Sequence, residues 1–172
     1  MIKIMILRKN INKMQKVVAK ILIFSKDNQE ILFLQRKNGQ WDLPGGEIEF
    51  EETPEECLQR ELQEEIGCDV VIKKLLYSQT IILNCLNKSK PQIIHYLALI
   101  FTGYIVDVNK MILKDIENKQ FKWIKIGNCG KMKTPNFNKD IINNLNRKLD
   151  MPVVKKYYIK AGDYKTYKEI VL

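Results

Sequence analysis

The chain has 172 residues, 45% of them hydrophobic and 28% charged, with a net charge of +9 at pH 7. That length suffices for one well-cored domain, and the composition excludes disordered and fibrous classes. No apolar run approaches the roughly 20 residues of a membrane span, and residues 4–7 are too few for a signal-peptide core, so a cytoplasmic protein without a membrane partner is expected. Cys57, Cys68, Cys85 and Cys129 show no paired metal-ligand spacing and read as reduced thiols.

The charge is unevenly placed. Residues 45–69 hold ten acids and one arginine, −9 in all, which leaves +18 on the rest of the chain. An acidic segment in a basic body suits a polyanionic substrate, neutralised partly by a bound cation and partly by lysines. Nucleic acid is the second partner class the surplus allows. It is weakened because lysines outnumber arginines 25 to 4, and arginine is the better planar reader of phosphates and bases.

In chain order, residues 1–16 are basic, hold no acid and lack a clear period, which fits a frayed tail better than an added edge strand. Residues 17–24 and 31–36 read as strands around a polar turn. Trp41 follows, with packing under the next loop favoured over stacking on a base. That loop is Leu43-Pro44-Gly45-Gly46, where proline cannot donate and the glycines free the backbone to turn.

Helix signals come next. Thr53 suits an N-cap, Pro54 the first helical position, and Glu56 completes a capping box; Gly67 suits a left-handed C-cap. On that helix Glu61, Glu64 and Glu65 fall within one arc, and Leu58, Leu62 and Ile66 fill the arc beside it. Carboxylates at i, i+3 and i+4 repel, so a helix holding them beside its buried face needs a counter-charge. Hard cations take oxygen ligands, and Mg²⁺ is held by a few carboxylates together with substrate phosphates.

Residues 70–78, 81–86 and 92–106 read as three further strands, with Ile93, His95, Leu97, Leu99 and Phe101 on one face of the last. His95, the single histidine, reads as a core residue rather than a catalyst, and Tyr77 and Tyr96 as core packing rather than base-stacking platforms. Residues 120–126 give another strand, and residues 138–149 an amphipathic helix with Ile141, Ile142, Leu145 and Leu149 on its apolar face. Strands 157–160 and 164–169 then form a hairpin around Ala161-Gly162-Asp163. Strands on both sides of an internal helix make an α+β fold.

Gly46, five residues, Glu52, seven residues, then Arg60-Glu61-Leu62-x-Glu64-Glu65-x-Gly67 resembles the signature box of the Nudix (MutT-like) hydrolases, with Cys68 where an aliphatic residue is usual. Looser similarity, through Trp41-x-Leu43-Pro44-Gly45-Gly46 upstream and Phe121-Lys122-Trp123-Ile124 downstream, covers residues 17–126. The resemblance implies a mixed β-sheet sandwiched between helices. The expected layout is a basic tail over 1–16, the hydrolase domain over 17–149, and an extension over 150–172 packed on the same domain as a dimer contact, a lid or an edge cover, the last needing least.

The resemblance also implies roles. Glu61, Glu64 and Glu65, with the Gly46 carbonyl, would ligate one or more Mg²⁺, for which Mn²⁺ can substitute. Arg60 would orient a carboxylate through its i+4 reach to Glu64, and Glu52 would support the same network. The general base is often a glutamate before the tryptophan-bearing strand; Gln120 occupies that place, which leaves Glu117 as the nearest substitute, with a plain surface role the alternative. Glu51 stands where many members have glycine. The upstream mark of coenzyme A-cleaving members is absent, as are the proline and tyrosine that ADP-ribose and dinucleoside polyphosphate hydrolases carry near residues 83–85. Hydrolysis of a nucleoside triphosphate or modified nucleotide is therefore expected. ADP-ribose or a nucleotide sugar, a triphosphorylated RNA end, and a non-catalytic ligand-binding role are the alternatives.

Overall fold

The computed structural model describes residues 12–85, 92–115, 117–134, 138, 141, 142 and 145, with strands 155–160 and 163–171 and residues 83–85 as backbone. In chain order the elements are β1 (Asn12–Ile23), β2 (Glu30–Arg36), β3 (Trp41–Asp42), α1 (Pro54–Ile66), β4 (Val70–Cys85), β5 (Gln92–Ile105), β6 (Asn118–Lys125), β7 (Lys155–Lys160) and β8 (Asp163–Val171). They form a five-stranded sheet in the order β1-β5-β4-β7-β8 and a three-stranded sheet in the order β3-β2-β6. β1 runs parallel to β5, β4 antiparallel to β5 and parallel to β7, so the larger sheet is mixed.

β2 carries an unbroken apolar run, and β1 one interrupted only by Lys20, because both faces are buried where these strands cross the core. Ala19, Ile21 and Ile23 with Leu32 and Leu34 pack on Cys57, Leu58, Leu62 and Ile66 of α1. Leu22, Ile31 and Phe33 point the other way, into a second core with Ile81, Ile100, Cys129, Ile141 and Ile142. Asn138, Ile141 and Ile142 have helical backbone, so helical residues lie against both cores, as expected of the sandwich. The remaining residues of the expected 138–149 helix, Leu149 among them, lie outside the described residues.

Three readings change. The expected tail is strand from residue 12 onward, since Asn12 pairs with Gln92 and β5 offers a parallel partner along the whole of β1; residues 1–11 lie outside the described residues. The two strands expected over 70–78 and 81–86 are one strand, β4. Gln79 and Thr80, polar enough to suggest a break, pair with Ala98 and Leu97, and register shifts at Ile72/Lys74 and Leu75/Tyr77 absorb the irregularity. The apolar face expected on β5 is only half covered. Leu99 and Phe101 pack beside the α1 core while Leu97 is 41% exposed, and Ala98 and Ile100 on the opposite face are buried.

The C-terminal hairpin is present, with β7 antiparallel to β8 and docked on β4 through Ile82↔Tyr158.

Candidate active site

Local sequence builds helix α1 as read. Thr53 Oγ1 accepts from the Glu56 amide at 3.2 Å, and the Glu56 carboxylate accepts from the Thr53 amide at 2.8 Å. Gly67, at φ 68°, ends the helix in the left-handed region. Two of its last carbonyls are satisfied from the chain before β6: Glu65 O accepts from Lys114 N at 3.0 Å and Ile66 O from Ile112 N at 2.9 Å. Leu58, Leu62 and Ile66 are fully buried, which sets the three glutamates at the edge of the docked face in graded exposure. The Glu65 side chain is 3% exposed, Glu61 18% and Glu64 59%.

The glycine loop lies along the outer edge of β1, where Ala19 N donates to Gly46 O at 2.9 Å and Ile21 N to Pro44 O at 3.1 Å. Gly45 sits at φ 110° and its amide donates to Glu65 Oε2 at 3.1 Å. Gly46 lies so close under Glu61 that a Cβ there would overlap the carboxylate. Loop and helix thus meet at two glutamates, and neither glycine has room for a side chain. Glu51, in place of the family's usual glycine, holds φ 65°, a left-handed conformation that glycine adopts without steric cost.

One guanidinium ties the acids together. Arg60 Nε and Nη2 fork onto Glu52 at 2.8 and 3.0 Å, Nη1 reaches Glu61 at 3.0 Å and Glu64 at 3.3 Å, and Nη2 also donates to Glu47 O at 3.2 Å. The expected i+4 contact is there, but the fork onto Glu52 has the better geometry. Arg60 hydrogen bonds, opposed by partial burial, hold Glu52 down at about 2, and the acids in turn push the Arg60 pKa up. Glu65 behaves differently. Burial pushes it up to about 7, against Lys20, Arg36 and the Gly45 amide.

Sequence reasoning missed Lys20, Arg36 and Asp42. Arg36 bridges Glu65 Oε1 at 3.3 Å and Asp42 Oδ2 at 3.5 Å, and Lys20 Nζ reaches Asp42 Oδ2 at 3.3 Å. Burial would raise Asp42, yet these two cations keep its carboxyl below the usual range. One signal was available: a lysine in the apolar run Val17-Val18-Ala19-Lys20-Ile21 has to find partners for its charge.

Glu117 is not joined to the box carboxylates by any hydrogen bond or ion pair among the described residues. Its side chain is 69% exposed and meets Lys37 at 3.5 Å. His95 is half-buried and lines a groove with Lys13, Met14, Gln15, Ile82 and Ile93. Trp41 packs against the second core, as favoured. The Cys57 and Cys129 thiols are pushed up to about 11 by burial, which leaves them poor nucleophiles.

Among the described residues, no three His, Cys, Asp or Glu side chains converge as a ready-made metal cluster. Glu61 and Glu64 are turned to Arg60, and Glu65 to Arg36 and Gly45. The donor chemistry still fits a hard divalent cation: carboxylate oxygens on one helix arc, the Gly46 carbonyl, which already accepts from Ala19 N, and no sulfur or nitrogen ligand in the set. A cation taken up here would compete with Arg60 for Glu61 and Glu64.

A sequence model of the NUDIX domain matches residues 14–145, against the 17–149 expected. The 8-oxo-dGTP diphosphatase of Proteus vulgaris is 60% identical over 38 residues, 22% of this chain and 34% of that protein. Nucleoside triphosphatase NudI of Escherichia fergusonii is 31% identical over 90 residues, 51% of this chain and 62% of that protein. The chain therefore spans less than two thirds of either relative. The MutT protein of Methanosarcina mazei Go1 superposes with a TM-score of 0.64 at 23% identity, covering 83% of this chain and 100% of that one, which shows a shared fold.

Proposed function

Because the chain belongs to the Nudix family, whose members generally use divalent metal ions, we propose that it hydrolyses a diphosphate linkage in a nucleoside triphosphate or modified nucleotide, with Mg²⁺ as its ion and Mn²⁺ able to substitute. The observation that carries this reading is the Arg60 fork, which gathers Glu52, Glu61 and Glu64, with Glu61 against the bare face of Gly46. Its support from relatives is the pair of nucleotide hydrolases matched above.

In this reading Glu61, Glu64 and Glu65, with the Gly46 carbonyl, hold the cation. When bound, it neutralises phosphate oxygens and lowers the pKa of a water nucleophile. The chain's own residues do the rest. Glu52 anchors Arg60, and Arg60 fixes the directions of Glu61 and Glu64. Arg36 and the Gly45 amide hold Glu65 from the loop side. Glu117 is the nearest carboxylate that could serve as base, and would have to leave Lys37 to do so; a plain surface role is the alternative.

A hydrolysis screen tests the proposal, run with and without Mg²⁺ over ordinary and oxidised nucleoside triphosphates, ADP-ribose, dinucleoside polyphosphates and triphosphorylated RNA, with Glu64→Gln and Glu117→Gln alongside. Glu64→Gln should lose at least ~10²-fold in turnover with its thermal midpoint unchanged or raised, because a like-charge repulsion is relieved. Turnover within a few-fold of wild type would remove Glu64 from the site. Triphosphorylated RNA is the second reading, favoured by the +18 carried outside residues 45–69; its turnover would fall steeply with salt as phosphate contacts release counterions.

A further inference from the structure

We propose that Lys20 is a positioning residue for the reaction, the side-chain half of a clamp that β1 closes on the glycine loop. It deepens the reading above and rests on it.

Four consecutive carbonyls of the loop are taken up by three consecutive residues of β1. Pro44 O accepts from Ile21 N at 3.1 Å and Gly46 O from Ala19 N at 2.9 Å. The two carbonyls between and before these face the other way. Lys20 Nζ collects them, donating to Leu43 O at 3.1 Å and Gly45 O at 2.6 Å, with its third donor on Asp42 Oδ2 at 3.3 Å. An ammonium has three donors, and all three are used, two on the loop and one on the last residue of β3.

Backbone ladder bonds alone would hold one edge of the loop and leave Leu43 O and Gly45 O turned away from water without a partner. Lys20 is 9% exposed, so its charge is costly to bury unless matched in this way. No apolar residue at position 20 could satisfy either carbonyl. The lysine therefore fixes the orientation of the peptide units on both sides of Gly45, at a backbone angle, φ 110°, that side chains cannot stabilise from within the loop.

What that orientation serves is the site. The Gly45 amide, on the same peptide track, donates to Glu65 at 3.1 Å, and the next residue, Gly46, underlies Glu61. Lys20 touches neither glutamate through a hydrogen bond. Beside the pull of its charge on Glu65, it sets the loop against which both are seated, a supporting role whose loss commonly costs 10–100-fold in metal affinity or activity.

The experiment compares wild type with Lys20→Met, which keeps the aliphatic stem without the ammonium, and Lys20→Arg, which keeps the charge. It reads Gly45 amide hydrogen exchange by NMR in metal-free protein, Mg²⁺ affinity by calorimetry, and kcat and KM on the best substrate of the screen. Lys20→Met should exchange the Gly45 amide about tenfold faster and bind Mg²⁺ about tenfold more weakly. It should also lower kcat at least about tenfold with KM within threefold, and Lys20→Arg should recover most of kcat. Retained Gly45 protection and kcat in Lys20→Met would overturn the proposal. If Lys20→Met does not fold, Lys20→Gln is read in the same way, and failure of both to fold would overturn it by making Lys20 a purely structural residue. A wild-type protein inert across the whole screen would defeat the hydrolase reading instead, while the exchange and Mg²⁺ measurements would still decide the clamp.

Discussion

At the scale of single residues, the three box glutamates are chemically unlike. Arg60 keeps Glu61 and Glu64 company near the surface, whereas Glu65 is shut in and its carboxyl is pushed up to about 7 from an ordinary 4.5, chiefly by burial. The consequence for stability has a definite sign. Between pH 4.5 and 7 the folded state holds a proton on Glu65 that the unfolded chain has released, so stability is lost as pH rises through that window. In chelator-treated protein, Glu65→Gln, which has nothing to ionise, should melt above wild type at pH 8. That gap should close as pH falls toward 4.5. A gap that did not change with pH would mean that Glu65 is already ionised in the fold, with Arg36 and Lys20 outweighing burial. Much of this residue-level chemistry was readable from spacing: the helical period places all three acids on one arc. The pairing of the buried one was not, because its cation, Arg36, comes from β2.

At the scale of elements, helix α1 was legible because its signals are local. Thr53, Pro54, Glu56 and Gly67 each act within a few residues of themselves, and all four sit where the sequence put them. The glycine loop was legible only as a loop. Its partner, the outer edge of β1, lies more than twenty residues upstream, so the dependence of Gly45 and Gly46 on Ala19 and Lys20 carries no sequence signal beyond an odd lysine. The two glycines should accordingly fail in different ways. At Gly45 a Cβ would meet the Ala19 carbonyl oxygen at φ 110°, and backbone on both sides cannot yield. Gly45→Ala should cost about 2 kcal/mol or more, several degrees of thermal midpoint. At Gly46 the nearest atoms a Cβ would meet are those of the Glu61 carboxylate, a side chain that can yield by turning on Arg60. Gly46→Ala should melt within about 2 °C of wild type, while Mg²⁺ affinity and turnover fall about tenfold. Calorimetric melting and Mg²⁺ titration of the two variants separate these outcomes. Equal destabilisation would mean that Glu61 is as fixed as the backbone.

For the whole molecule, the ordering of the large sheet separates the site from the C-terminal extension. The glycine loop occupies the free edge of β1, and the hairpin β7–β8 closes the opposite end of β1-β5-β4-β7-β8. Alternation around Ala161-Gly162-Asp163 was enough to read the hairpin itself. Its docking on β4 was not readable, because a strand pairing between Ile82 and Tyr158 is set by tertiary fit. This placement favours an edge cover over a lid. An unpaired edge offers its N–H and C=O groups to any other strand, and proteins guard such edges against association. Removing residues 151–172 would uncover β4 over Ile82, Leu83 and Asn84, the three residues that pair with β7. The truncated protein should keep Mg²⁺ affinity and kcat within about threefold, since the glycine loop lies on β1 and the box helix meets β4 at its start, around Val70, while β7 pairs at its far end. In sedimentation it should instead show concentration-dependent association that the full chain lacks. A folded, monomeric truncation with turnover reduced more than tenfold would place the hairpin at the substrate. A full-length dimer that became a monomer on truncation would make the hairpin the subunit contact. The edge-cover reading requires the remaining outcome, a new association with chemistry intact, because only an exposed strand creates a binding surface by losing one.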